Sequence, residues 1–299
     1  MPDRSPTSIT VGIVTRNRAE SLARCLASLS VLGDRLVEAI VVDDTSDDPL
    51  DAAIACGPAG RVRLIRQQHR EGPIVARNTL VRESSTETIL LMDDDAALLP
   101  GDEIDEALRV FEGDPRIGSV ACAMAEADGS PWRANMQPAP VDYTCYVAAY
   151  IGFAHFIRKS VFLGLGGYRE SFHFYGEEKD LCLRMLQAGF AVVYTPRARV
   201  IHTPDPSGRN PARYVRYAIR NDCLFALYNE PWPVLIVSMP IRVARYFKMS
   251  RGLHDRGGFL WILRELTREL PTIARGRRPV SWATFTRWRQ LSRTWPQFA

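Results

Sequence analysis

The chain has 299 residues, of which 46% are hydrophobic and 24% are charged. This composition is that of an ordinary globular protein and excludes a wholly disordered chain, and the length is sufficient to bury a core without disulfides. The net charge of +4 is unevenly distributed. From Arg242 to the end, thirteen Arg and Lys residues and three acids give a charge of 13 − 3 = +10, so the first 241 residues carry 4 − 10 = −6. An acidic body followed by a basic tail is therefore expected.

Cysteine usage and the N-terminus bear on the cellular compartment. Six cysteines are scattered along the chain, without a CxxC pair or a Cys/His cluster at zinc spacing. The first residues, MPDRSPTSITVGIV, lack the basic start, apolar run and cleavage site of a signal peptide. Both observations favour a reducing cytoplasm, in which all six cysteines act as small buried hydrophobic residues.

The first hundred residues predict an alternation of strands and helices. Strands are predicted in ITVGIVT, VEAIVVDD, RVRLIRQ and TILLMDDDAALLP, and helices in AESLARCLASLS and IVARNTLVRE. Short apolar runs that end abruptly in polar residues are typical of buried parallel strands. Their alternation with helices predicts an α/β fold, with a parallel sheet covered by helices on both faces.

Polar residues follow three of these strands, at residues 15–18, 43–44 and 93–95. In open α/β sheets, ligands bind beyond the carboxyl ends of the strands, so this edge is the predicted active site. The three adjacent carboxylates of Asp93, Asp94 and Asp95 repel one another, and Mg²⁺ or Mn²⁺ would relieve that repulsion. A solvated acidic turn is the alternative interpretation of the same three residues.

The alternation is less regular beyond residue 118. A strand is predicted in SVACAMAEA, a helix in GEEKDLCLRMLQAGF, two strands in AVVYTP and ARVIHTP, and a further helix in ARYVRYAIRNDCLFALYN. Acids at a helix start interact favourably with the helix dipole, which accounts for one or two of the three carboxylates at residues 177–180. A carboxylate held there can also act as a general base. His202, at a strand end, is a candidate metal ligand.

Six segments, in this order, resemble the family 2 glycosyltransferases of the GT-A fold. They are VGIVTRNR, VVDDTSDD, GPIVARNTL, LLMDDDAALLP, GFAHFIRKSVFLGLGGYRESFHFYGEEKDLCLRMLQAGF and VIHTP, within residues 8–205. The resemblance implies a Rossmann-like, mostly parallel central sheet flanked by helices. It implies a catalytic domain at 1–240, with a nucleotide-binding half at about 8–117 and an acceptor half at about 118–240. A basic amphipathic helical extension is expected at 241–299.

The resemblance also implies residues that bind the nucleotide-sugar donor. These positions lie at strand ends and in the second predicted helix: Thr15, Asn17, Arg18, Asp44, Arg77, Asn78 and Asp94. The positions up to Asp44 correspond to contacts with the nucleoside, and Arg77 and Asn78 to contacts on the diphosphate side. The donor implied is a nucleoside-diphosphate sugar, with uridine or deoxythymidine as the expected nucleoside.

Metal and catalytic positions are implied in the same way. Asp93 and Asp95 match the family's DxD motif, which His202 completes as a ligand for Mn²⁺ or Mg²⁺. The family has a Glu-Asp pair at the start of the acidic helix, and the second acid of that pair is the catalytic base. The candidates for this base are, in order, Glu178, Asp180 and Glu177. Glu178 stands where Asp is usual, so its carboxylate reaches one methylene further.

The reaction expected from the resemblance is metal-assisted sugar transfer with inversion. The acceptor is a glycan, a lipid-linked molecule or a small molecule. A nucleotidyltransferase is an alternative, although TRNRAESLA lacks the glycines of a phosphate loop. A second alternative is a protein that binds a nucleotide sugar without catalysis.

The basic tail combines Arg with Trp, Phe and Leu, a composition that suits either of two roles. It is expected to pack on the body or on a second subunit, or to lie on an anionic membrane surface. The expected localisation is cytoplasmic, with peripheral contact at the inner membrane face as a further possibility. No nucleic-acid partner is expected, because the body is acidic and lacks a nucleic-acid-binding motif.

Overall fold

The structure, a computed structural model, describes residues 7–204, 210–253, 255 and 257–298. Residues 1–6, where the segment assessed for a signal peptide begins, lie outside the described residues. The strands are β1 Ile9–Thr15, β2 Leu36–Asp43, β3 Val62–Arg66, β4 Thr88–Asp93, β5 Ala96–Leu98, β6 Ile117–Ala125, β7 Cys145–Tyr146, β8 Ala154–Arg158 and β9 Ala191–His202. The helices are α1 Ala19–Ser28, α2 Asp51–Ile54, α3 Pro73–Glu83, α4 Glu103–Gly113, α5 Lys159–Gly164, α6 Glu177–Gln187, α7 Pro211–Asn229, α8 Trp232–Met249, α9 Gly258–Gly276 and α10 Trp282–Leu291.

One sheet contains all nine of these strands, in the order β3-β2-β1-β4-β8-β6-β9-β5, and β7 also pairs with β9. The first half is parallel, since β1 pairs with β2 and β4, and β2 pairs with β3. The second half is mixed, because β8 runs antiparallel to β4 and β6, whereas β6 and β9 are parallel. The predicted α/β class is confirmed, and its parallel strands are those that end at the predicted active-site edge.

Helices bury both faces of the sheet. Within β2, Ile40 and Val42 belong to the core cluster that includes α3 and α6, whereas Ala39 and Val41 belong to the cluster that includes α1 and α4. This alternation explains the unbroken apolar run of the sequence, because a strand covered on both faces needs apolar residues at every position.

Three sequence-based expectations were wrong in detail. TILLMDDDAALLP forms two strands, β4 and β5, because the chain turns at Asp94 and Asp95. AVVYTP and ARVIHTP form the single strand β9, which tolerates Pro196 because this residue has no strand partner among the described residues. Cys56 is exposed, whereas the other five cysteines are buried.

The C-terminal helices pack on the body of the protein. Arg220 of α7 pairs with Glu269 of α9 at 3.1 Å, and the Phe298 N–H donates to the carbonyl of Thr144 at 2.9 Å. Residue 240, where the sequence predicts a domain boundary, lies inside α8. No helix in the described part of the chain is long and apolar enough to cross a bilayer.

Candidate active site

Side-chain hydrogen bonds join the carboxyl ends of β1 and β4. Thr15 Oγ1 donates to Asp94 Oδ2 at 2.7 Å, and Arg18 Nη1 lies 3.0 Å from Asp94 Oδ1 and 3.1 Å from Asp95 Oδ2. Burial raises the pKa of Asp94 to about 6, although the Thr15 hydroxyl and the Arg18 guanidinium favour the charged form. Asp94 is buried and points to the end of β1, so it ties the two strand ends together.

Asp93, Asp95 and His202 form a group suited to a metal ion. One ligand atom from each lies within 4.8 Å of the others, and His202 Nε2 is 3.3 Å from Asp95 Oδ1. Strand pairing produces this proximity, because Ala96 of β5 is the register partner of His202 in β9. The Thr203 N–H also donates to the carbonyl of Asp95 at 2.9 Å. The predicted metal residues therefore lie together in the structure.

Two aromatic rings hold the imidazole of His202. The ring centroid of Trp132 lies 5.6 Å from that of His202, and the ring centroid of Phe153 lies 5.1 Å from it. His202 Nδ1 is buried and has no hydrogen-bond partner among the described residues. Two carboxylates and one imidazole are ligands that Mn²⁺ accepts, and the carboxylates also suit Mg²⁺. The side chains present therefore fit the predicted metal.

Arg77 of α3 connects this group to the start of α6. Arg77 Nη2 lies 2.7 Å from Asp93 Oδ1, and Arg77 Nη1 lies 2.8 Å from Glu177 Oε1. Burial opposes the charge of the guanidinium, but the neighbouring acids Asp93, Glu177 and Glu178 outweigh it and raise the pKa of Arg77. Arg77 is therefore a fixed positive charge between the metal-type group and the acidic helix.

The carboxylates of Glu177 and Glu178 open α6. Glu177 is 2% exposed, and burial together with repulsion from Glu178 raises the pKa of Glu177 to about 8, although Arg77 opposes the shift. Burial also raises the pKa of Glu178, again against the effect of Arg77. A Cβ atom on Gly152 would lie 2.4 Å from Glu178 Oε1, so the absence of a side chain at Gly152 leaves room for this carboxylate.

Asp180 lies outside this group. Its carboxylate is fully buried and lies 3.2 Å from Arg169 Nε, 2.8 Å from Arg184 Nε and 2.7 Å from Asn229 Nδ2. A carboxylate that is enclosed by three donors has no access to an acceptor. The geometry therefore favours a structural role for Asp180, although the sequence places it among the catalytic candidates.

Asn78 is also held by the protein itself. Its Nδ2 donates to the carbonyl of Tyr168 at 2.9 Å, and its Oδ1 accepts the Tyr168 N–H at 2.9 Å. A Cβ atom on Gly167 would lie 2.8 Å from Asn78 Oδ1. Asn78 thus fixes the glycine turn that follows α5, and its contact with the diphosphate stays a prediction.

The loops after β1 and β2 support each other at the predicted nucleoside side. Asn17 Nδ2 donates to Asp47 Oδ2 at 2.6 Å, the Asp47 N–H donates to Asn17 Oδ1 at 2.8 Å, and the Asn17 N–H donates to Ser46 Oγ at 2.9 Å. Asp44 Oδ1 accepts the N–H groups of residues 71–72 at 2.8 and 3.1 Å. Sequence reasoning missed Ser46 and Asp47, although both lie in the acidic run that contains Asp44.

Backbone strain concentrates at this edge of the sheet. The described non-glycine residues with positive φ are Asn17, Thr45, His173 and Tyr175, with φ angles of 55°, 63°, 57° and 70°. The first two follow β1 and β2, and the last two precede α6. Positive φ is costly for a β-branched residue such as Thr45 and is often retained at functional sites.

Residues 10–167 match the family model described as Glycosyl transferase family 2, which is more than half of the chain. The chain belongs to glycosyl transferase family 2. The family predicted from the sequence is thereby confirmed, and the matched residues contain the strand ends, Arg77 and the three acids at 93–95. The match ends before α6 and His202, so the assignment of those residues depends on the geometry described above.

Several curated proteins resemble this family 2 chain. The Pre-mycofactocin glycosyltransferase of Mycobacterium tuberculosis is 31% identical over 210 residues, which cover 66% of this chain and 43% of that protein. The N-acetylglucosaminyl-diphospho-decaprenol L-rhamnosyltransferase of the same species is 26% identical over 243 residues, covering 68% of this chain and 78% of that protein. The Succinoglycan biosynthesis protein ExoU of Rhizobium meliloti is 28% identical over 221 residues, covering 68% of this chain and 62% of that protein. The chain thus spans less than half the length of the mycofactocin relative.

Solved structures resemble the chain in fold. The mannosyltransferase PcManGT from Pyrobaculum calidifontis, in complex with GDP-Man and Mn²⁺, gives a TM-score of 0.61 at 17% identity, covering 97% of this chain and 84% of that one. GalNAc-T7 with UDP, GalNAc and Mn²⁺ gives a TM-score of 0.61 at 17% identity, covering 90% of this chain and 58% of that one. At this identity the likeness concerns the fold alone, and it confirms the predicted GT-A fold.

Proposed function

We propose that the protein transfers a sugar from a nucleoside-diphosphate sugar to an acceptor hydroxyl or similar nucleophile, with inversion and with the help of a divalent cation. The observation that carries this proposal is the position of Arg77, which pairs with Asp93 of the metal-type group and with Glu177 of the buried acidic pair. In this proposal, the residues that would hold the metal and the diphosphate therefore adjoin the residues that supply the base. The relatives that are named as glycosyltransferases support the same assignment.

On the donor side, Asp93, Asp95 and His202 would hold Mn²⁺ or Mg²⁺. The bound ion supplies Lewis-acid stabilisation of the negative charge on the departing diphosphate. In this proposal, Asn17, Arg18 and Asp44 bind the nucleoside, and that nucleoside is uridine or deoxythymidine. Arg77 adds positive charge on the diphosphate side in this proposal. Thr15, Asn78 and Asp94 act by position, through hydrogen bonds within the protein.

On the acceptor side, Glu178 acts as the general base. Its carboxylate takes the proton of the acceptor hydroxyl while the oxygen attacks the anomeric carbon. The bond between that carbon and the diphosphate oxygen breaks, and its electron pair leaves with the diphosphate. Attack opposite the leaving group inverts the anomeric configuration. The acceptor is a glycan, a lipid-linked molecule or a small molecule. Because one relative is named as an N-acetylglucosaminyl-diphospho-decaprenol L-rhamnosyltransferase, a lipid-linked glycan is the first acceptor to test.

The first test is release of nucleoside diphosphate from a panel of uridine, deoxythymidine and guanosine diphosphate sugars with Mn²⁺, Mg²⁺ or EDTA. Release from one donor that requires metal supports the proposal. No release from any donor, together with no thermal shift by any nucleoside diphosphate plus metal, contradicts it. Glu178→Gln is then expected to lower transfer by about 10²–10⁴, because the base is lost, with donor affinity retained. An equal loss of donor affinity would contradict the role of Glu178.

A further inference from the structure

Helix α8 exposes an unusually apolar side to solvent. Trp232, Ile236, Val237, Ile241 and Phe247 are each between 55% and 69% exposed. At about 100° per residue, these five residues fall within about half of the helix circumference, on its solvent side. Single exposed apolar residues are common on protein surfaces, but a contiguous set of this kind marks an interaction site.

Helix α9 carries a second set of exposed apolar residues. Leu260 is 69% exposed and Leu270 is 51% exposed, and Leu263 between them is also exposed. The two helices meet at their connecting end, where the rings of Phe247 and Phe259 lie 5.0 Å apart. We call the exposed apolar residues of both helices the α8–α9 face: Trp232, Ile236, Val237, Ile241, Phe247, Leu260, Leu263 and Leu270.

Positive charge borders the α8–α9 face. Lys248 at the end of α8 and Arg264 and Arg275 on α9 are exposed. Helix α8 contains no acid, and the two acids of α9 turn toward other partners. Glu265 pairs with Arg268 and Glu269 pairs with the buried Arg220 of α7. The surface is therefore apolar at its centre and cationic at its border.

We propose that the α8–α9 face docks the protein onto an anionic lipid surface. Apolar side chains of a basic amphipathic helix enter the boundary between headgroups and acyl chains, while the cations attract anionic headgroups. A second copy of the chain is the other occupant to consider. A symmetric dimer through this face would bring together two faces that carry the same positive charge, and like charges repel. Charge complementarity therefore selects the lipid surface.

Helix α7 connects this face to the candidate active site. Asn221 Nδ2 donates to the carbonyls of Phe172, Phe174 and Tyr175 at 2.9, 2.6 and 2.7 Å, and these residues lead into α6. Trp261 of α9 packs on α7, since its ring lies 5.2 Å from that of Tyr217. Docking thus places the loop before α6, and with it the proposed acceptor side of the site, at a fixed position relative to the lipid. Only this consequence for the acceptor rests on the proposed function.

The test measures sedimentation of the full chain with vesicles, without donor or acceptor, so that its result is independent of transfer activity. Binding to phosphatidylcholine vesicles that contain phosphatidylglycerol is expected, with weaker binding to pure phosphatidylcholine and in high salt. The double variant Ile236→Glu with Ile241→Glu is expected to lower the affinity by about 10². Lys248→Glu with Arg264→Glu is expected to lower it by at least about tenfold. Leu163→Glu and Arg82→Glu, exposed residues outside the face, are the matched controls and should bind as the wild type does.

A second readout uses a variant that preserves an aromatic ring and hence the fold. Trp232 is 63% exposed at one end of the face, so lipids brominated on the acyl chain should quench part of the tryptophan fluorescence. Trp232→Phe should lose that part of the quenching. Absence of vesicle binding by the wild type would overturn the proposal. So would a concentration-dependent dimer that the Ile236→Glu and Ile241→Glu variant abolishes, because the face would then belong to a second copy.

Discussion

The backbone of Gly152 and the carboxylate of Glu178 approach so closely that a Cβ atom on Gly152 would lie 2.4 Å from Glu178 Oε1. Gly152 precedes Phe153, whose ring contacts His202, so the same segment borders both the proposed base and the metal-type group. The short approach means that the position of the proposed base depends on the absence of a side chain at Gly152, just before β8.

Gly152→Ala is therefore expected to displace the Glu178 carboxylate and to lower the turnover of sugar transfer by about 10², because a displacement of about 1 Å costs that much in a positioned reaction. Donor affinity should change less, since the added Cβ would meet Arg77 Nη2 only at the ordinary contact distance of 3.6 Å. Steady-state kinetics with the identified donor measure both quantities. Gly164→Ala is the control, because an added Cβ there meets nothing within 4 Å. Equal loss in both variants would contradict the steric argument.

Asp180→Ala is expected to affect stability before catalysis. The variant leaves Arg169 and Arg184 without their shared buried partner, and breaking a buried ion pair typically costs about 3–5 kcal/mol. Urea unfolding with and without donor measures the loss. At temperatures where the variant remains folded, its affinity for nucleoside diphosphate should match that of the wild type. A stable variant without activity would instead restore Asp180 as a catalytic candidate.

The different outcomes for Glu178 and Asp180 have a simple origin. A separation of two residues along an α-helix corresponds to a rotation of about 200° around its axis, so the two side chains point to nearly opposite sides. The sequence predicts an acidic helix start, but which side meets the site depends on how α6 packs. On the Asp180 side, α6 meets Arg169 and Asn229, which lie outside the helix in the sequence, as well as its own Arg184 one turn later.

Other parts of the site follow more directly from the sequence. The carboxyl ends of parallel strands share one edge, so Thr15, Asp44 and Asp93 could be placed together from their positions after apolar runs. The position of His202 depends on the antiparallel pairing of β5 with β9, and no periodicity in the sequence indicates that pairing. The contact of Trp132 with His202 comes from an irregular loop and was equally inaccessible.

His202→Ala is expected to weaken Mn²⁺ binding by at least about tenfold, because one of three candidate ligands is lost. Isothermal titration of Mn²⁺ in the presence of nucleoside diphosphate measures this affinity. His69→Ala removes an exposed histidine elsewhere and serves as the control. Unchanged Mn²⁺ affinity in His202→Ala would mean that the two acids alone hold the metal.

The acidic pair predicts an unusual dependence of stability on pH. Burial and repulsion from Glu178 raise the pKa of Glu177 from 4.5 to about 8, so between these values the folded state holds a proton that the unfolded state has lost. The contribution of Glu177 to the free energy of unfolding then falls as the pH rises through this window. Urea unfolding of the wild type in EDTA at pH 5, 6, 7 and 8 is expected to show that decline.

Glu177→Gln removes the titrating group and should flatten the decline. The variant also changes the contact of Arg77 with residue 177, but that change involves no proton release and does not reproduce the slope of a raised carboxyl pKa. The difference in slope between wild type and variant is therefore the informative quantity. Equal slopes would mean that Glu177 is already ionised at pH 5, held in that form by Arg77, and that the proton is not retained in the folded site.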